Sequence, residues 1–374
     1  MARTTPPEVF THFDNLTDPR MDRTKLHQLS DMTALALCAT LCGADSWADV
    51  ERFGKEKIDW LRTFLPLANG VPSHDTFGRV FALLDTPEFF ACLTSWVNSL
   101  QLDLRGTNVA IDGKTLRRSF DAVSGREALH LVSTWAGELR VSLGQLAVDD
   151  KSNEIPAVRK LLELLDLEGA VVTVDAMHCQ KETAQAIRAR TSDYVLGVKA
   201  NQPTLYQELQ ERFTAYGDDD WRGVKRCAST ETSHGRCERR EYYVAPAPSG
   251  LARQWPDACS IGMVYRSREA DGKLSEEVSY FISSLPPKVR TLAKHVRGHW
   301  RVENALHWTL DVTFSEDQSR IRKGHGPEIA AAFRRLALSM LQQDTTLKEN
   351  IHGKRVRAGW NNKTLQAILT AKAA

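Results

Sequence analysis

The chain has 374 residues, of which 42% are hydrophobic and 26% charged, and its 49 basic and 47 acidic side chains leave a net charge of +2. That length and balance predict a globular protein of two or three domains with a substantial core, and they exclude a disordered or collagen-like chain. Met1 to Asp14 lacks the apolar stretch of a signal peptide, no apolar run reaches membrane-spanning length, and the seven cysteines are scattered, so the expectation is a cytoplasmic protein with reduced thiols and no membrane partner.

Residues 1–25 are polar, carry three prolines and show no periodicity, which predicts a flexible arm. Residues 26–105 read as an all-helical N-terminal domain. Leu29 to Leu41 places apolar side chains at helical spacing and stops at Gly43. Cys38 and Cys42 fall one turn apart in that segment and belong to the core. Ser46 with Asp49 forms a capping arrangement for a helix reaching Leu65, and Ser73 caps the next. Thr86-Pro87-Glu88 supplies a cap, a first-turn proline and a first-turn acid for a helix ending near Leu102.

At Arg105-Gly106-Thr107 the period changes from helical to strand-like. Asn108 to Asp112 is a strand of small and β-branched residues that ends in a carboxylate, followed by Gly113 and Lys114. Leu129–Trp135 and Arg140–Val148 form a hairpin. A helix from Ile155 to Leu167, a second acid-ended strand from Ala170 to Asp175, a helix from Cys179 to Arg190 and a strand from Tyr194 to Val198 follow. The order β-β-β-α-β-α-β is mixed α/β. Residues 201–287 read as a β-rich insertion with strands at Arg239–Ala245, Ile261–Ser267 and Val278–Ser283. A long helix runs from Val289 to Leu310, with Trp300 and Trp308 expected in the core. A further helix spans Glu328 to Gln342, and 346–374 is a basic C-terminal tail. Between Gln318 and Lys363 ten Lys and Arg face three acids, an excess suited to phosphates.

In a sheet built as a meander plus two crossovers, the first and fourth strands are parallel neighbours about 4.8 Å apart. Asp112 and Asp175 then lie close enough to share a cation, and hard oxygen donors favour Mg²⁺ or Mn²⁺. Glu303 is the candidate third carboxylate, with Asp311 as runner-up and Glu316 and Asp317 as further competitors. Three acids suit two divalent ions roughly 4 Å apart, an arrangement for displacement at phosphorus. Each has a plainer reading: Asp112-Gly113 as a hairpin turn, Asp175 as a helix cap, Glu303 as a solvated helix residue. His299, Glu303 and His307, spaced four apart on the long helix, also permit a zinc site.

Several blocks resemble those of the H-repeat-associated (IS-As-type) bacterial insertion-sequence transposases, members of the DDE superfamily. They include Ala39-Thr40-Leu41-Cys42-Gly43-Ala44-Asp45-Ser46-Trp47, Pro72-Ser73-His74-Asp75-Thr76-Phe77-Gly78-Arg79, Ile111-Asp112-Gly113-Lys114, Gly144-Gln145 and Lys151-Ser152-Asn153-Glu154-Ile155. Further on come Val174-Asp175-Ala176-Met177, Val198-Lys199-Ala200-Asn201-Gln202, His234-Gly235-Arg236, Arg297-Gly298-His299-Trp300, Glu303-Asn304, Leu306-His307-Trp308 and Asp311-Val312. The resemblance covers nearly the whole chain. It implies an RNase H-like mixed sheet with helices over 106–200 and 288–345, interrupted by the β-rich 201–287. The preceding helical 26–105 is then a module for DNA-end binding or dimerisation.

It further implies that Asp112, Asp175 and Glu303 are the catalytic acids and hold two Mg²⁺ or Mn²⁺ ions. The partners it implies are the terminal inverted repeats of an insertion sequence, target DNA and further copies of the chain, in a bacterial cytoplasm and, when bound to DNA, at the nucleoid. Related transposases carry a Tyr-Arg-Glu-Lys signature around the third acid; here His299 and Leu310 stand where its Arg and Lys would fall, so Arg297, Arg301 and His307 are assigned phosphate contacts. Lys114, Arg117 and Arg118 beside the first acid, Lys199, Asn201 and Gln202 at the end of the Tyr194–Val198 strand, and Arg320, Arg322 and Lys323 complete the expected DNA-binding set. The alternative is a metal-dependent DNA nuclease of the same fold without transposition.

Overall fold

The computed structural model describes residues 5–121, 125–148, 154–233, 236–270 and 272–371. Of the segments singled out above, Lys151-Ser152-Asn153 and His234-Gly235 lie outside that set. The elements run α1 (Glu8–Thr11), α2 (Leu29–Leu41), α3 (Trp47–Glu56), α4 (Ile58–Leu61), α5 (His74–Leu83) and α6 (Thr86–Ser99). Then come β1 (Asn108–Thr115), β2 (His130–Ala136), β3 (Val141–Val148), α7 (Glu154–Leu164), β4 (Val171–Val174), α8 (Lys181–Arg188), β5 (Asp193–Val198) and α9 (Pro203–Asp218). The remainder is β6 (Lys225–Ser233), β7 (Arg236–Pro246), α10 (Ser249–Gln254), β8 (Ser260–Ala270), β9 (Lys273–Ser283), α11 (Val289–His299), α12 (Trp308–Thr313), α13 (Gly326–Gln343), α14 (Ile351–Trp360) and α15 (Asn362–Leu369). The architecture is mixed α/β, and no single helix among the described residues is long and apolar enough to cross a membrane. The chain divides into two compact units, one of 1–103, 113–154 and 303–374, the other of 104–112 and 155–302.

In the first unit local sequence sets the helix ends. Ser46 accepts from the Asp49 amide while the Asp49 carboxylate takes the Ser46 amide, a full capping box, and Ser73 caps α5. Asp85, not Thr86, caps α6, and the helix expected to reach Leu65 stops at Glu56 and resumes as the short α4. α2 is apolar on every face because α13, α3 and α14 all pack on it. α13 is the axis of this unit: Phe333 meets the Phe81 and Phe89 rings at 5.6 and 5.3 Å. β2 and β3 form the expected hairpin, antiparallel with a register shift at Thr134/Trp135, in the order β3-β2-β1.

Both ends of the chain differ from expectation. The supposed arm is packed, with Val9, Phe10, Phe13 and Leu16 buried and the Phe13 ring 5.4 Å from Phe89. Its few apolar residues cluster at helical spacing, and their burial outweighs the polar composition. The supposed basic tail folds into α14 and α15. Lys354 Nζ donates to the Leu341 carbonyl at 2.9 Å, and Arg355 reaches the Thr40 carbonyl at 3.1 Å and lies 4.0 Å over the Phe314 ring. With Arg334 and Arg335 also buried, four of the ten cations counted toward phosphates serve the interior instead.

In the second unit the strand order is β1-β4-β5-β9-β8-β7-β6, with β1, β4 and β5 parallel and the others antiparallel. The 201–287 segment is not a separate sheet: β9 pairs with β5 from Val195↔Ser283 to Val198↔Tyr280 and continues it. β6 is an edge strand that the sequence reading omits, since nearly all its side chains are polar and exposed. α11 crosses β4, β5, β6 and β7, burying Leu292 against Val171, Val195, Val244 and Phe281.

The long helix expected from Val289 to Leu310 is broken. α11 ends at His299, Trp300 is a turn residue, and Glu303–His307 forms a π-helical turn before α12. A π turn spaces its residues differently from an α turn. Trp300 and Trp308 are 42% and 58% exposed rather than core.

Candidate active site

The β1–β4 ladder pairs Asn108 with Val171, Val109 with Val172, Ala110 with Thr173 and Ile111 with Val174. These apolar runs are buried on both faces, as strands in the interior of a sheet are. The next residue on each strand is an acid, so Asp112 and Asp175 emerge side by side at the carboxyl edge, Asp112 half-buried and Asp175 exposed. Asp175 also caps the 3₁₀ turn Ala176–His178, its Oδ1 accepting from the Ala176 amide at 2.7 Å.

The β5 exit braces that turn. Asn201 Nδ2 donates to the Ala176 carbonyl and Gln202 Nε2 to the Cys179 carbonyl, each at 2.8 Å. Both amides, expected at DNA, are thus committed to holding the chain after Asp175. Lys199 is exposed, with Nζ 3.5 Å from Asp175 Oδ1. His299 Nδ1 lies 3.2 Å from Thr173 Oγ1; burial pushes its pKa down to about 4, against an upward pull from Asp175. Asp175, Lys199, Tyr280, Phe281, His299 and Trp300 line a cavity of about 80 Å³. Arg297 grips Glu231 at 3.2 and 2.7 Å.

In the first unit Lys114 is buried, its ammonium held by Asp311 and by Glu316 Oε2 at 3.1 Å, with Asp317 at 3.8 Å. It is not available to a phosphate, and Asp311, the runner-up third ligand, is occupied as its counter-ion. Burial alone would raise the Glu316 carboxyl, but Arg335, 2.8 Å away, and Lys114 outweigh it and bring its pKa to about 2. Burial, then Arg335 and Lys114, lower His307 to about 3, so it is neutral at pH 7. Arg117 is 3.2 Å from Asp317, and Arg322 donates to the Arg118 carbonyl and lies 4.6 Å over the Phe120 ring. Arg301, Glu303, Arg320 and Lys323 are exposed.

Among the described residues no three His, Cys, Asp or Glu side chains converge to hold a metal ion, neither the three acids nor a set built on His299 and His307. What the strands bring together is the pair Asp112 and Asp175. Two hard carboxylates on adjacent strands suit Mg²⁺ or Mn²⁺ and fit such an ion as two of its ligands. Sequence reasoning overlooked a second cluster: Thr115 Oγ1 lies 2.9 Å from His130 Nδ1, and His130 Nε2 lies 3.0 Å from Glu154 Oε2. Its members are separated in sequence, with Thr115 on β1, His130 on β2 and Glu154 at the start of α7, so only the folded chain joins them.

Residues 104–340 match the family model described as Transposase DDE domain, and 10–97 match the one described as DDE_Tnp_1-associated. The chain is 36% identical to "Putative transposase YncI" of Escherichia coli O157:H7, over 95% of this chain and 93% of that protein. It is 34% identical to "H repeat-associated putative transposase YhhI" of Escherichia coli strain K12, over 97% of each. Among solved structures, a piggyBac transposase synaptic complex with hairpin DNA is similar over 98% of this chain and 78% of its own, at 11% identity and a TM-score of 0.44, too distant to carry an argument. The chain belongs to the H-repeat-associated transposases of the DDE transposase family.

Proposed function

We propose that this protein cuts DNA at the terminal inverted repeats of an insertion sequence and joins the freed ends to target DNA, using an RNase H-like core. The observation that carries the reading is the parallel register that ends in Ile111↔Val174 and is followed on both strands by an aspartate. Asp112 and Asp175, with Glu303 as third acid, would hold two divalent ions, Mg²⁺ or Mn²⁺. Such ions supply positive charge that acidifies an attacking hydroxyl and stabilises a leaving oxygen. In the first reaction a water oxygen bonds to phosphorus as the bond to the 3′ oxygen breaks, leaving a 3′-hydroxyl and a 5′-phosphate. In the second that 3′-oxygen bonds to a target phosphorus and expels the target's own 3′-hydroxyl.

The exposed cations Arg117, Arg118, Arg301, Arg320 and Lys323 are available to DNA phosphates, with Lys199 nearest the acid pair. The N-terminal helices are assigned to end recognition or pairing of copies, and a homo-oligomer on DNA in the bacterial cytoplasm is the working assembly. Replacing Asp112 or Asp175 by Ala is expected to abolish both cleavage and strand transfer while end binding survives in a gel-shift assay. Strand transfer by either variant would overturn the assignment.

A further inference from the structure

Gly113, the residue after Asp112, is crowded from one side by the buried, hydrogen-bonded pair His130 and Glu154. A Cβ at Gly113 would stand 2.6 Å from His130 Nε2 and nearer still to Glu154 Oε1, so the position admits only glycine while that pair is in place. Its φ is not positive, so close approach and not backbone conformation is the reason for glycine here. His130 and Glu154 are 6% and 4% exposed. A carboxylate only accepts, so in the neutral ring Nε2–H donates to Glu154 and Nδ1 accepts from the Thr115 hydroxyl. The chain of bonds thus returns to β1 two residues beyond Gly113. The alternate residue, Lys114, is held by Asp311 and Glu316.

A buried hydrogen-bonded pair yields little net stability, since desolvation offsets the attraction. What this pair delivers is geometry: Gly113 is crowded by His130 and Glu154, Thr115 is hydrogen-bonded to His130 and Lys114 is held by two acids, so each of the three residues after Asp112 is braced. We propose that Glu154 and His130 are positioning residues that fix the exit of β1 and thereby the direction in which Asp112 presents its carboxylate to a divalent ion. The inference rests on Asp112 being a metal ligand.

The test is Mn²⁺ binding by the full-length protein, followed by electron paramagnetic resonance, in wild type, D112N, E154A, E154Q, T115V and the double variant D112N/E154A. E154A is expected to weaken Mn²⁺ about tenfold, the range found when a residue behind a metal ligand is lost. E154Q, which keeps an acceptor for His130, restores most of the affinity. In the D112N background E154A adds no further loss, because the residue it positions is gone. T115V, at an exposed position that folding tolerates, shifts affinity in the same direction as E154A and keeps the test alive if E154A does not fold. Unchanged affinity in both E154A and T115V, or losses from D112N and E154A that simply multiply, would overturn the proposal. If D112N itself leaves Mn²⁺ binding unaltered, Asp112 is not a ligand and the inference falls with that assignment.

Discussion

Ile111 faces Val174 across the parallel ladder, and each is followed by an aspartate. A slip of one residue in either strand would send one acid to the opposite face, so the buried apolar run that fixes register also fixes the acid pair. On the proposal that the two carboxylates hold the same ions, D112N/D175N is expected to be no worse than either single variant, each losing roughly 1000-fold in cleavage, or about 4 kcal/mol of barrier. Single-turnover kinetics on an end-containing duplex measures this; a further multiplicative loss in the double variant would separate their roles.

Glu316 carries an acid-sensitivity prediction. Its carboxyl is depressed from 4.5 to about 2, so its stabilisation is complete above about pH 4.5 and is lost as pH falls toward 2. The shift corresponds to something on the order of 3 kcal/mol. E316Q is expected to be less stable than wild type at pH 7, since Lys114 and Arg335 lose their buried counter-charge, and to show a flatter stability curve between pH 4.5 and 2. Urea unfolding at stepped pH distinguishes the two curves.

His299 behaves in the same sense over a higher pH window. Burial lowers its pKa from 6.5 to about 4, so the folded state disfavours the proton and stability falls as pH drops from about 6.5 toward 4. The ring is neutral at pH 7. Asp175 pulls the value up, so D175N should lower it further. The imidazole Cε1–H resonance followed by NMR gives both values, and an unchanged His299 titration in D175N would refute the coupling.

Salt dependence separates cations that meet DNA from side chains that brace the protein. N201A and Q202A remove hydrogen bonds to the Ala176 and Cys179 carbonyls and should leave the salt slope of DNA binding unaltered. R320A and K323A should each reduce that slope by about 1 if their exposed charges neutralise phosphates. A changed slope in N201A would return that amide to the DNA-binding set.

Much of the fold is legible in the chain because it is written locally. Ser46 with Asp49, Ser73, and the two apolar runs that lead into Asp112 and Asp175 each announce themselves within a few residues, although β1 continues past Asp112 to Thr115. What escapes is whatever depends on distant packing. Lys354 and Arg355 count as basic residues in a tail, yet they are buried on carbonyls contributed by Leu341 and Thr40. Trp300 and Trp308 look like core residues by their size and apolar character, yet both are exposed. β6 has no apolar signal because an edge strand needs none. The pairing of His130 with Glu154 has no sequence spacing at all.

The union of β9 with β5 has a consequence for how such a chain can be altered. Between Val198 and Tyr280 the inserted segment donates the strand that covers the open side of β5, the same strand whose exit braces the turn after Asp175. Excising the segment whole would strip β5 of its neighbour and leave bare amides and carbonyls beside the acids, an invitation to aggregation. Any shortened version of the chain would therefore keep β9 in place.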